Sequence, residues 1–214
     1  MPETSNKEEQ DLTALKAAVS TASTLIAQLH STAPVADKSA DQNNVNALDL
    51  AHDAASLIRA HTTKLSLLII NKPFTPTAIS TVLCELVAGS LPGLASAVEL
   101  CTAEKYTKAM STELQYRARK VFLQLGTLVE AVPLDGQILG DDAKNGTGTE
   151  KGKGSLAITG TVWEACDGVI ELKMTGVAGL IIKKANEYRD LLKDALEELQ
   201  DWAEEESDGE DGES

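Results

Sequence analysis

The stretch NALDLAHDAASLIRAHTTKLSLLIIN, residues 46–71, sets the class of fold. Leu50, Ala54, Leu57, His61, Leu65 and Leu68 recur at spacings of three and four, the period of a helix with one apolar face. Thr62 and Thr63 are β-branched but sit between strong helix formers, so the helix reads as continuous. Lys72-Pro73 closes it, because the residue before a proline disfavours helical geometry. A helix striped in this way must cover that stripe against neighbours.

The flanking sequence supplies the neighbours. Upstream, about residues 8–31, Leu12, Leu15, Val19, Ala22, Ile26 and Leu29 share one face, and a polar stretch beginning before Pro34 ends the helix. Downstream, Thr75-Pro76 is a start signal, a threonine cap with proline at the first helical position. That helix reaches about Ala88, where Gly89-Ser90-Leu91-Pro92-Gly93 kinks it or opens a new one to about Leu100. Residues 103–132 read as one helix with Met110, Leu114, Val121, Leu125 and Leu128 on its face, ended by Pro133. Between Leu134 and Ser155 fall six of the fifteen glycines and no apolar period, which reads as a flexible, partly disordered loop. Thr161, with Glu164 three residues on, has the form of a capping box. Val162, Cys166, Val169 and Ile170 give that helix its buried side, and a last helix runs from Val177 past Trp202. The expectation is an all-α, antiparallel helical bundle of five long helices, or six if Pro92 separates two. Residues 1–202 form one domain, with a disordered loop over about 134–155.

Composition agrees. Hydrophobic residues are 43% of the chain and aromatic ones only 3%, so the core is Leu, Ile, Val and Ala, which suits close helix packing. The net charge of -14 is concentrated at the end. From Asp194 to Ser214 there are eleven acidic residues and no basic one. Leu191, Leu192, Ala195, Leu199 and Trp202 keep helical spacing, then the apolar stripe stops, so residues 203–214 read as a disordered acidic tail or linker. Such acidity argues against direct nucleic-acid binding, which needs Lys and Arg to neutralise phosphate. The cluster of Arg117, Arg119 and Lys120 is one basic turn. No signal-peptide pattern is read at the N-terminus, and the longest apolar run, Leu65 to Ile70, is interrupted by Ser66, so no membrane insertion is expected. Cys84, Cys101 and Cys166 are widely spaced and odd in number, which reads as reduced, buried thiols of an intracellular protein.

Local constellations for chemistry fail specific requirements. GTEKGKG, residues 148–154, has phosphate-loop composition but lacks the glycine-lysine-hydroxyl ending and a preceding strand. His30, His52 and His61 have no metal-ligand spacing, and Asp53, adjacent to His52, is read as pointing elsewhere. Glu164, Asp167 and Glu171 form a carboxylate row, but no Glu-x-x-His motif accompanies it, so it reads as a solvated face. No catalytic residue, metal ligand or cofactor site is assigned. Trp163 and Trp202 remain, each near a helix end. Either they fill grooves with the indole N–H bonded to a polar group, or they offer contacts to a partner.

Residues 159–173, TGTVWEACDGVIELK, and the later LLKDALEELQDW resemble the cyclin-D-interacting protein family. The resemblance rests on Gly160, Val162, Trp163, Glu164, Ala165, Cys166 and Asp167, on Lys193 to Glu198, and more weakly on Thr62 to Ser66. It implies an all-helical protein corresponding to the family's N-terminal region, followed in longer members by a second helical region. It also implies an adaptor or regulator of the cytoplasm and nucleus that binds cyclin D or helix-loop-helix factors, with no enzymatic signature.

The leading expectation is therefore a non-enzymatic protein-interaction module, with Trp163, Glu164, Asp167 and Trp202 as its signature residues. An alternative from the same composition is a helical carrier of a lipid or other apolar ligand. A third is an enzyme whose site assembles from distant residues. Ser207, followed by Asp208 and Glu210, matches an acid-directed phosphorylation site. A phosphate there adds negative charge for a basic partner and costs the core nothing.

Overall fold

The computed structural model describes the backbone of residues 3–31, 45–146 and 153–209, and side chains within 7–31, 45–146 and 153–202. The order is α1 (Glu3–Ser31), α2 (Ala47–Ile70), α3 (Pro76–Glu85), a π turn (Leu86–Ser90), α4 (Leu91–Leu100), α5 (Ala103–Tyr106), α6 (Lys108–Glu130), α7 (Asp141–Asn145) and α8 (Ser155–Gly209). There is no strand among the described residues, and the fold is all-α. The chain divides into two compact units, Met1–Met174 and Thr175–Ser214.

In the first unit α1 packs on α3 and α6, and α2 packs on α3 and α4. Leu15, Ala22 and Ile26 of α1 are buried, as their spacing predicts. So are Met110, Leu114, Val121, Leu125 and Leu128 of α6. Burial of each such Leu or Ile side chain contributes roughly 1.5–3 kcal/mol. At Gly126 the two helices approach closely, and a Cβ there would come within 3.3 Å of Ile26 Cγ2.

The face of α2 differs from its sequence reading. Its buried side is Ala47, Leu48, Ala51, Ala54, Ala55, Ile58, Thr62, Leu65, Ser66 and Ile69, whereas Leu57 is 53% exposed. Alanines set this face because they let neighbouring helices come close, and a stripe traced through leucines alone is rotated away from it.

Two breaks that the sequence reading missed or left open have local causes. Residues 76–100 run on through the π turn, where Leu91 N–H bonds to the Leu86 carbonyl. This wider turn accommodates Pro92, which has no N–H to donate. The helix expected over 103–132 is divided at Thr107, whose φ of 78° is costly for a β-branched residue. Its hydroxyl accepts from Met110 N–H and caps α6. Thr102 caps α5 through Lys105 N–H.

That division places Tyr106. Its hydroxyl accepts from Ala47 N–H at 2.8 Å and donates to Asn46 Oδ1 at 3.3 Å. Asn46 Oδ1 itself caps α2, accepting from Leu48 N–H at 2.9 Å. The start of α2 is thus tied to α5 across the sequence, and an N–H with no intrahelical partner is satisfied.

The glycine-rich stretch is structured where it is described. Leu139 N–H bonds to the Ile69 carbonyl at 2.9 Å, and α7 ends on Gly146 in the left-handed region. Residues 147–152 lie outside the described set. The next helix begins at Ser155, so Thr161 is inside it, its hydroxyl bonded to the Ile158 carbonyl at 2.7 Å and not acting as a cap. Contrary to the sequence reading, two runs, Lys7–Ser31 and Pro76–Leu100, are long and apolar enough to cross a membrane. Core helices of water-soluble proteins meet the same criterion. Here the Ala, Ser and Thr content that favours close packing also keeps the charge count low.

Tyr106→Phe removes the acceptor for Ala47 N–H and strands it in a buried position. The expected loss is about 1–2 kcal/mol of unfolding free energy in urea titration, with the ring packing retained. An unchanged midpoint would show that the tie does not hold α2.

Candidate protein-interaction surface

The first arm of α8, up to Met174, lies against α2 and α6. Val162, Ala165, Cys166, Val169 and Leu172 are buried, at helical spacing. Polar pairs on both sides fix its direction. Along α2, Thr159 Oγ1 stands 3.0 Å from Ser66 Oγ, Asp167 pairs with Arg59 at 2.9 Å, and Lys173 with Asp49 at 3.0 Å. Rising numbers on α8 meet falling numbers on α2, so the two run antiparallel.

Trp163 sits in this seam. Its Nε1–H donates to Thr63 Oγ1 at 3.1 Å, and Thr63 in turn donates to the Arg59 carbonyl at 2.9 Å. The Arg59 guanidinium lies 5.5 Å from the Trp163 ring centroid, within the range of a cation–π contact. Arg59 is therefore held by the ring and by Asp167 together. Trp163 fills a groove and satisfies its N–H, the first of the two roles its sequence position allows.

The carboxylate row is not simply solvated. Glu164 pairs with Lys120 at 3.0 Å and Asp167 with Arg59 at 2.9 Å, while Glu171 is 3.4 Å from Arg117 Nη1. Arg117 Nε donates to Glu113 at 2.8 Å, and Nη1 also donates to the Gly168 carbonyl. Side chains of Arg117 and Glu113 are only 16% and 17% exposed. The outer pairs contribute about 0–1 kcal/mol each. Their main effect is to set which turn of α8 faces which turn of α2 and α6. The partner cations lie more than forty residues away in sequence, which is why adjacent sequence did not show them.

At Gly176 the helix is interrupted, with φ 62° and ψ 179°, a region open to glycine and costly for other residues. The arm beyond it carries Ile181, Ile182, Tyr188, Leu191, Leu192, Leu196, Leu199 and Trp202, all exposed. Trp202 is 71% exposed and Leu192 66%. This is the largest run of solvent-facing apolar side chains among the described residues. The backbone stays helical to Gly209, inside the segment read as a tail. The Ser207 side chain and residues 210–214 lie outside the described set.

Among the described residues, His52 and His61 each meet a single carboxylate. His52 Nδ1 is 2.9 Å from Asp53 Oδ1, so that neighbouring pair does meet, at the surface and contrary to the sequence reading. His61 lies 3.4 Å from Glu85. No grouping of three His, Cys, Asp or Glu side chains fit to hold a metal occurs among the described residues. Cys84 is exposed, against expectation, while Cys101 and Cys166 are buried. Burial pushes the Cys101 thiol up to about 11. Burial and the Asp167 charge push Cys166 up to about 12, against an opposing pull from Arg59. An open cleft of about 700 Å³ lies between Lys72-Pro73-Phe74 and residues 136–144, outside the packed core.

The family pattern described as Grap2 and cyclin-D-interacting, N-terminal, matches residues 51–205. That span includes α2 from Ala51 onward, the Trp163 cluster and the exposed arm. An uncharacterised protein of Schizosaccharomyces pombe is 28% identical over 158 residues, covering 73% of this chain and 44% of its own length. The chain thus spans less than half of that relative. No solved structure matches.

In the seam, Trp163→Phe should cost about 1 kcal/mol for the lost hydrogen bond and Trp163→Ala about 2–3 kcal/mol. A urea double-mutant cycle with Arg59→Ala should give a coupling of about 0.5–1 kcal/mol, and zero coupling would contradict the stacking. For the thiols, native protein should react with maleimide at Cys84 alone. Both buried thiols titrate above their ordinary 9.0, so folding favours their neutral form. That contribution is fully present below pH 9 and is lost as pH rises through about 11 and about 12. Melting temperature should decline over that window, and the decline should shrink in Cys166→Ala.

Proposed function

The chain belongs to the Grap2 and cyclin-D-interacting family, and from that membership we propose that it is a non-enzymatic protein-interaction module. The observation that carries this reading is the arm after Gly176, where Tyr188, Leu191, Leu192, Leu196, Leu199 and Trp202 face solvent along one helix. A helix with an uncovered apolar face docks into a groove or against another helix. Trp202 is the aromatic anchor offered to the partner. Trp163, with Glu164 and Asp167, positions α8 from within the first unit.

The family description and the acidic end together favour a partner with a basic rim, either a D-type cyclin or a helix-loop-helix factor, met in the cytoplasm and nucleus. Charge beside an apolar anchor speeds encounter and selects partners more than it adds affinity. Phosphorylation of Ser207 strengthens that steering.

The test is binding of purified D-type cyclin and of a purified helix-loop-helix factor to the intact chain, to one ending at Trp202, and to Ser207→Glu. One of the two probes should bind stoichiometrically, more weakly without residues 203–214 and more tightly with Ser207→Glu, while melting stays unchanged. Failure of both probes, or turnover abolished by a single polar substitution, would overturn the reading.

A further inference from the structure

The exposed arm carries a stricter pattern than a general apolar face. Ala178, Ile181, Ala185, Tyr188, Leu192, Ala195, Leu199 and Trp202 alternate in steps of three and four without a fault. That is a heptad seam with Ala178, Ala185, Leu192 and Leu199 at one core position and Ile181, Tyr188, Ala195 and Trp202 at the other. All eight are exposed. A heptad sustained over this length is the signature of a coiled coil, whose helices insert side chains of one seam between those of the other.

Charge along the same arm is polarised. Residues 177–189 carry Lys183, Lys184 and Arg189 against a single acid, Glu187. Residues 190–202 carry Asp190, Asp194, Glu197, Glu198 and Asp201 against a single base, Lys193. Two copies side by side and parallel would set like ends together, and would bring Lys184 of one against Arg189 of the other. Reversed, each basic half meets an acidic half.

Side-chain size selects the same orientation. In a parallel pair, Trp202 meets Trp202 and Ala178 meets Ala178, leaving bulky and empty layers. In the antiparallel pair, Ala178 faces Trp202 of the second copy, Leu192 faces Tyr188 and Leu199 faces Ile181, and Ala185 opposite Ala195 is the one small layer on each side of the axis. On the flank of the seam this register sets Lys184 against Glu198 of the second copy, twice by symmetry. At the two-fold axis Leu191 meets its own equivalent on one flank and Arg189 its own on the other. That is one like-charge contact where the parallel pair has two between Lys184 and Arg189, and the isologous arrangement closes the assembly at two chains.

We propose that the arm after Gly176 pairs with the same arm of a second copy as an antiparallel two-stranded coiled coil. The inference rests on the reading of this arm as the docking element and names its occupant in the free protein. A heterologous partner then competes with self-pairing for the same seam.

The test is sedimentation equilibrium of the intact chain and its variants. The parent should dimerise, and Leu192→Asp should be monomeric with an unchanged melting midpoint for the first unit, since Leu192 is exposed in the single chain. Lys184→Glu and Glu198→Lys should each weaken the dimer roughly tenfold, from two altered flank pairs at about 0.5–1 kcal/mol each. The double reversal should restore it. A parent that remains monomeric at hundreds of micromolar would overturn the proposal. A dimer indifferent to Leu192→Asp, or one that the double reversal fails to restore, would overturn the seam or its antiparallel register. Should the chain prove monomeric yet bind D-type cyclin, self-pairing fails while the docking role of the arm stands. Should it neither dimerise nor bind either purified probe, both fail.

Discussion

On α8, Val162, Ala165, Cys166, Val169, Leu172 and Leu180 are buried, and from Ile181 to Trp202 the apolar side chains are left in water. Burial of apolar surface is the dominant favourable term in folding, so a helix that meets this requirement in one arm and violates it in the other is organised by that difference. The first arm is held by the Trp163–Arg59–Asp167 cluster and by the flanking pairs to Lys120 and Arg117. Gly176 interrupts the helix where a residue with a Cβ would resist the backbone it needs. Beyond the buried Leu180, the second arm has helical hydrogen bonding without a packed face.

Within the first unit, distant contacts compensate for local weaknesses. Tyr106 supplies the hydroxyl that the first N–H of α2 requires, yet it reaches that point only because Thr107 adopts an unfavourable φ between two helices. Such strain persists where surrounding contacts over-determine it, and here the caps of α5 and α6 and the Tyr106 tie do so together. The π turn before Pro92 works similarly. A residue that would break an α-helix is absorbed by a wider turn, so residues 76–100 keep both Leu83 and Leu94 in the core.

Much of the helical layout was legible in the chain. The stripes of α1 and α6 were right because their leucines, valines and methionine lie on the buried side. The α2 stripe was misplaced because buried alanines outnumber leucines there, and alanine gives little signal in a hydropathy pattern. Thr107 was invisible, since neither glycine nor proline marks the break. Thr161 with Glu164 resembled a cap only by composition, and Ser155 begins the helix. Of the residues suggested by the resemblance, Trp163, Glu164 and Asp167 were found without their counterparts. Thr63, Arg59 and Lys120 lie on other helices, and pairing across helices leaves no trace in adjacent sequence. Trp202, which the sequence left between filling a groove and meeting a partner, is exposed in the single chain.

Whether the α8 stripe beyond Gly176 is open in the single chain and covered by association decides the role of the second arm. Trp202 reports on it directly once Trp163 is replaced by phenylalanine, which leaves it the sole tryptophan. Acrylamide quenching of its fluorescence, followed across protein concentration, is the measurement. Strong quenching is expected in dilute solution, with protection that grows as copies pair. Protection that is complete at every concentration would show the stripe already covered within one chain, and would contradict an open docking face.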